Sequence, residues 1–195
     1  MTTTTPARDR AHAVAMIVAP IALLASTIGY RVLGSEDGSA AIGILASALL
    51  VAATPGITRQ LDARMPAVAA VLTVLFMFCF AIGGVSFNLE GIVVAHGAPS
   101  LDSLAVFPVI AVPGVLGPLT LAAIGVALFV ARATPRFAAA ALALGALLFP
   151  VSRIGDIAPL AIAVDLLLCA GLIPLALAQL RGLGAQQSRR NADSQ

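Results

Sequence analysis

The sequence predicts an all-α integral membrane protein: a bundle of about six transmembrane helices with both termini cytoplasmic. Three observations predict it: the composition, the length of the apolar runs and the placement of the arginines. Of 195 residues, 60% are hydrophobic and 10% charged, and the mean hydropathy is +1.04. Soluble domains carry roughly a quarter charged residues. A soluble chain of this size has too little polar surface to cover so much hydrocarbon, whereas lipid accepts it.

A helix needs ~20 apolar residues to cross the hydrocarbon. Candidate spans cover residues 13–33, 40–57, 67–87 with apolar character continuing to 94, 112–131, 137–152 and 157–180. The fifth is short, and its flanks Arg136 and Arg153 can snorkel to the two interfaces. The first apolar run reaches Tyr30, which is longer than the roughly 7–15 residues of a signal-peptide core. One domain is therefore expected over residues 13–180. The polar ends 1–12 and 181–195 read as disordered cytoplasmic tails.

All eleven basic residues are arginine. Six spans put Arg8, Arg10, Arg59, Arg64, Arg132, Arg136, Arg181, Arg189 and Arg190 on the side of the termini, and only Arg31 and Arg153 on the other. Short cytoplasmic loops concentrate arginine. Both termini are thus expected inside, in a bacterial cytoplasmic (inner) membrane. A net charge of +2 gives no basis for nucleic-acid binding.

Helices associate in lipid through small residues. Ala15, Ala19, Ala22, Ser26 and Gly29 follow one another at helical spacing and predict a buried face on the first span. Gly43 with Ser47, Cys79 with Gly83, and Ala141 with Gly145 are further pairs of this kind. The stretch Phe107–Pro118 carries three prolines at five-residue spacing. Proline removes a backbone donor, so a regular helix is not expected throughout. Either a broken element lines a vestibule, or a proline-rich approach leads into the fourth span.

Asp165 stands inside the most apolar part of the sixth span. At 1.5 Å per residue it lies roughly 22 Å from the cytoplasmic end of that helix. Ser26 and Thr27 of the first span and Gly83 with Gly84 of the third reach the same height. Tyr30 lies a turn further out, and Arg31 and Arg153 can reach down from the outer interface. A charged carboxylate near the membrane centre costs roughly 2.5–3.5 kcal/mol on insertion scales. The candidate intramembrane polar site is therefore Asp165, Ser26, Thr27, Tyr30, Arg31 and Arg153. Either the carboxylate pairs with an arginine and ties helices together, or it handles a proton or small cation.

A second, outer-side cluster is Glu90, His96 and Asp102, with Asn88 and Asp156 nearby. Its spacings match no metal-ligand signature, and solvated loop residues are the ordinary explanation. His12 and His96 fall on opposite sides of the membrane, so they cannot share a haem. Cys79 and Cys169 sit in apolar runs, as small buried hydrophobes do. No C-x-x-C, H-E-x-x-H, G-x-S-x-G or phosphate loop occurs. No catalytic residue, metal or cofactor is assigned. The sequence favours a non-enzymatic accessory, sensor or partner-binding membrane protein. Its partners would be the lipid bilayer and a membrane-protein partner or second copy. The alternative is a small-solute or proton-coupled transporter using Asp165. An intramembrane acid–base enzyme using Asp165 and Glu90 is weaker, because their heights differ.

Overall fold

The computed structural model describes residues 6–100, 103, 105 and 107–193. They form α1 (Pro6–Arg31), α2 (Glu36–Asp62), α3 (Pro66–Ala95), α4 (Phe107–Val130), α5 (Arg136–Ile154) and α6 (Ala158–Asp193). All six are long and apolar enough to cross a membrane. They run up and down in turn. One end of the bundle therefore holds the ends of the chain (the terminal end), and the other holds the α1–α2, α3–α4 and α5–α6 connections (the distal end).

Short connections keep consecutive helices adjacent. Each helix packs on its neighbours in the chain, and α1 packs on α6, which closes the six into a ring. Helix α2 leans inward and also touches α4 and α6. The ring is filled in its terminal half. Phe76, Leu50, Leu121, Ile124, Leu128, Leu142, Leu168 and Leu172 are fully buried there, and Phe76 stacks on Phe80 with centroids 5.0 Å apart.

Close approach depends on small residues, as expected in lipid. A Cβ on Gly125 of α4 would stand 2.6 Å from the backbone nitrogen of Ala143 on α5. One on Gly171 of α6 would stand 2.8 Å from the Cβ of Leu142 on α5. Gly83 of α3 packs directly on the backbone of Gly114 on α4. The small stripe of α1 does face inward: Ala15, Ala19 and Ser26 are buried, and Ala22 is half-buried. Ala19→Leu is expected to lower stability by about 1–3 kcal/mol, the usual cost of overpacking, and Ala22→Leu by less. Thermal melting in detergent checks both.

One expectation is corrected. Helix α4 is continuous across Phe107–Pro118, so this stretch is neither broken nor merely an approach. Pro108 falls in the first turn, where the missing donor has no helical partner anyway. Pro113 and Pro118 are internal and buried. Each deletes a single backbone bond, whereas unwinding in lipid would strand many polar groups. The neighbouring helices shield what remains.

Within the expected tails, residues 6–12 belong to α1 and residues 181–193 to α6, while residues 1–5 and 194–195 lie outside the described residues. Asp9 is buried and pairs with Arg59 at the end of α2, at 2.5 Å. The first turn of α1 is thereby fastened to its neighbour. At the other end, alanine, glutamine and arginine simply continue α6, as their helix propensities allow.

Candidate functional site

Asp165 projects from the distal half of α6 into the contact between α5 and α1, and it is fully buried. Arg153, in the last turn of α5, turns inward. Its Nη2 donates to Asp165 Oδ1 at 2.9 Å and Oδ2 at 3.0 Å. The same nitrogen donates to Thr27 Oγ1 at 2.8 Å, and Thr27 in turn donates to Asp165 Oδ2 at 2.5 Å. A guanidinium can only donate, so both carboxylate oxygens accept from Arg153. Three helices are joined by this one triad. The guanidinium also lies 4.9 Å from the Phe149 ring centroid. The expectation that Arg153 snorkels outward to the interface is corrected, because the buried carboxylate draws it in.

The other members of the expected intramembrane site separate from Asp165. Ser26 donates to the Ser39 carbonyl at 2.7 Å, bridging α1 and α2. Arg31 closes an ion pair with Asp156 in the α5–α6 turn and sits over Tyr30, 5.0 Å from its centroid. Asp156 has φ +54°, the left-handed conformation that Asp tolerates better than most residues. Gly83 and Gly84 match the height of Asp165, but they face α4 and α2 instead: Gly83 meets Gly114, and Gly84 meets Ser47.

What these residues do share is a cavity. Ser26, Thr27, Tyr30, Arg31 and Arg153 all line a space of about 500 Å³ in the distal half of the ring. A second space of about 360 Å³ adjoins it between α3, α4 and α5. Leu23, Phe87, Asn88, Glu90, Ser100, Phe149 and Arg153 border both. Asp165 lines neither; only its partners Arg153 and Thr27 face the first space.

The expected outer cluster divides too. Glu90 of α3 faces both spaces and accepts a hydrogen bond from Ser100 Oγ at 2.5 Å. His96 caps α3 away from the cavity, exposed, with Nε2 3.6 Å from Asp37 and Nδ1 2.9 Å from the Ile92 carbonyl. Asp102 lies outside the described residues. Among the described residues, no three His, Cys, Asp or Glu side chains are grouped to hold a metal. Cys79 and Cys169 are both free thiols.

Sequence reasoning marks Asn88 and Asp156 as polar without giving them a role, and it misses Ser39 and Ser100. Asn88 hydrogen-bonds the Gly84 carbonyl at 2.7 Å and packs against Gly43. That glycine leaves the room its amide occupies. An asparagine and a glutamate two residues apart near the end of an apolar span are the signal that could have found this wall. Comparison with known proteins yields no matching family model, curated protein or solved structure.

Proposed function

We propose that this chain is a non-enzymatic membrane protein of the sensor or accessory type that receives a small molecule in its distal cavity. The observation that carries the proposal is a lined space in one half of the ring above a plug of buried leucine, isoleucine and phenylalanine in the other. Its volume, about 500 Å³ in the larger compartment, falls in the range of roughly 300–1,000 Å³ typical of small-molecule sites. A binding role is further supported by Asp165 being sealed and fully engaged by Arg153 and Thr27. A carboxylate so held braces the wall of the site and does not meet the ligand. The third helix is the least buried of the six, with Val71, Val74 and Phe78 exposed. It is the face we assign to lipid, to a membrane-protein partner or to a second copy.

The arginine asymmetry favours a cavity on the exterior face of a bacterial cytoplasmic membrane. Single cysteines at Ser35 and Ala98 should be labelled by an impermeant maleimide in intact cells, and one at Ser188 should not. The reverse pattern would turn the cavity to the cytoplasm.

The binding proposal is tested by melting the purified protein against panels of small polar and amphipathic solutes. A saturable upward shift, lost in a cavity-filling Gly91→Leu variant, is the expected result. Gly91 lines the larger compartment, and a Cβ there meets only Ala40, at 4.0 Å, so the side chain starts without a clash at its root. No shift with any solute would refute the proposal.

Transport is the second reading, and one observation favours it. Pro113 and Pro118, inside the continuous α4, border the smaller compartment, and internal prolines each remove a backbone hydrogen bond and so mark where a helix bends. Proton coupling through Asp165 would require the Arg153 pair to open. Proteoliposomes should then show a pH-dependent flux that Asp165→Asn abolishes.

A further inference from the structure

The two compartments differ in chemistry. Beyond the residues they share, the larger is bordered by Ser26, Tyr30, Arg31, Glu36, Ser39 and Asp156. The smaller is bordered by Cys79, Phe80, Ile110, Pro113, Val115 and Pro118. A molecule occupying both must be polar at one end and apolar at the other. Its charge follows from the lining. Glu36, Glu90 and Asp156 stand against Arg31 and Arg153. Both guanidiniums already have carboxylate partners, Arg31 on Asp156 and Arg153 on the buried Asp165. The charge of each guanidinium is thus already balanced by an aspartate, so an anion would find no unbalanced positive charge there and would settle near the carboxylates Glu36 and Glu90. A cation meets Glu90 at the junction of the two compartments, with Phe87 and Phe149 beside it, and aromatic faces attract cations.

We infer that the cavity is a binding site for an amphipathic organic cation, with its charged group at Glu90 and its apolar body in the compartment between α3, α4 and α5. This rests on the small-molecule reading above and adds the ligand class. The apolar body would lie against Phe80, Pro113 and Pro118. The cation would not displace either arginine from its aspartate.

The test uses the full chain in lipid nanodiscs, with tetraphenylphosphonium as the probe and tetraphenylborate as its counterpart of matching shape and opposite charge. Equilibrium dialysis should show saturable binding of the phosphonium near one per chain and far weaker binding of the borate. Glu90→Gln should weaken the phosphonium by about tenfold or more, as loss of a close, desolvated charge partner does. Gly91→Leu, which leaves Glu90 in place, should weaken it as well and covers the case in which Glu90→Gln fails to fold. Equal binding of both ions, or phosphonium binding unchanged in the folded Glu90→Gln protein, would overturn the cation assignment. So would a panel in which only anionic or uncharged solutes bind and Gly91→Leu removes them, an outcome that leaves the small-molecule reading standing. Absence of any saturable ligand would remove both.

Discussion

Arg153→Gln is expected to destabilise the protein by about 3–5 kcal/mol, the usual effect of removing one partner from a buried ion pair. Asp165 is fully buried, and the arginine supplies two of its hydrogen bonds. Without the guanidinium, the carboxylate is left in an apolar wall with Thr27 alone. Asp165→Asn should also destabilise, since it strands Arg153 beside Phe149. The double variant should lose clearly less than the sum of the two single losses, because groups in one hydrogen-bonded network do not act additively. Unfolding in detergent, followed through the full double-mutant cycle, measures this directly. Strict additivity would mean that the triad does not hold the helices. Arg31→Gln is the contrasting case. Its side chain is as buried as that of Arg153, but its partner Asp156 is 78% exposed and stays solvated without it, so the loss should be about 1 kcal/mol, the upper end for exposed pairs. The two distal arginines look equivalent in the sequence, yet they should differ several-fold in effect.

Gly171→Leu is expected to be strongly damaging, because this glycine joins α6 to α5 at close backbone contact. A Cβ at Gly171 already falls 2.9 Å from the backbone nitrogen of Leu142. That atom belongs to a helix and cannot swing aside, so α5 and α6 must separate. Gly171→Ala alone should cost about 1–3 kcal/mol, typical of overpacking, and leucine should cost more. Separating these two helices would also pull Arg153 from Asp165, so the Gly171 and Arg153 variants should prove coupled. Gly182 lies further along the same helix, and a Cβ added there would have no neighbouring atom within 4 Å. Gly182→Ala should be neutral or slightly stabilising, because it lowers the entropy of the unfolded chain without touching a neighbour. Melting temperatures of the three variants, in one detergent, test the contrast. If Gly171→Leu melts like the unaltered protein, the α5–α6 contact is not the tight joint described.

The number of helices and their order up and down the bundle were legible because hydropathy is a local property of the chain. Twenty or so apolar residues need a membrane wherever their neighbours lie. The height of Asp165 was legible for a similar reason: a fixed rise per residue turns sequence distance into depth. Depth brought Thr27 to the carboxylate and left Arg31 and Arg153 as the arginine partners. Depth says nothing of rotation about the axis or of which helices are neighbours. Ser26 and Thr27 stand at one height about 100° apart, given 3.6 residues per turn, so they turn in different directions. Thr27 faces α6, and Ser26 faces Ser39 on α2. Gly83 and Gly84 match Asp165 in height but lie on α3, across the ring from α6, and pack on α4 and α2.

Closure of the ring cannot be read from any one segment. It sets α6 between α5 and α1, and so assigns Arg153 to Asp165 and leaves Arg31 to Asp156. It also encloses the distal space where Glu90, Asn88 and Ser100 meet residues more than fifty positions away. Which segments prefer lipid, and how deep each polar group sits, were fixed before any packing, because both depend on residues counted along one helix. The arginine's choice of partner, the continuity of α4 through its prolines and the existence of the cavity depend on atoms from several helices meeting in space. Those were settled by packing.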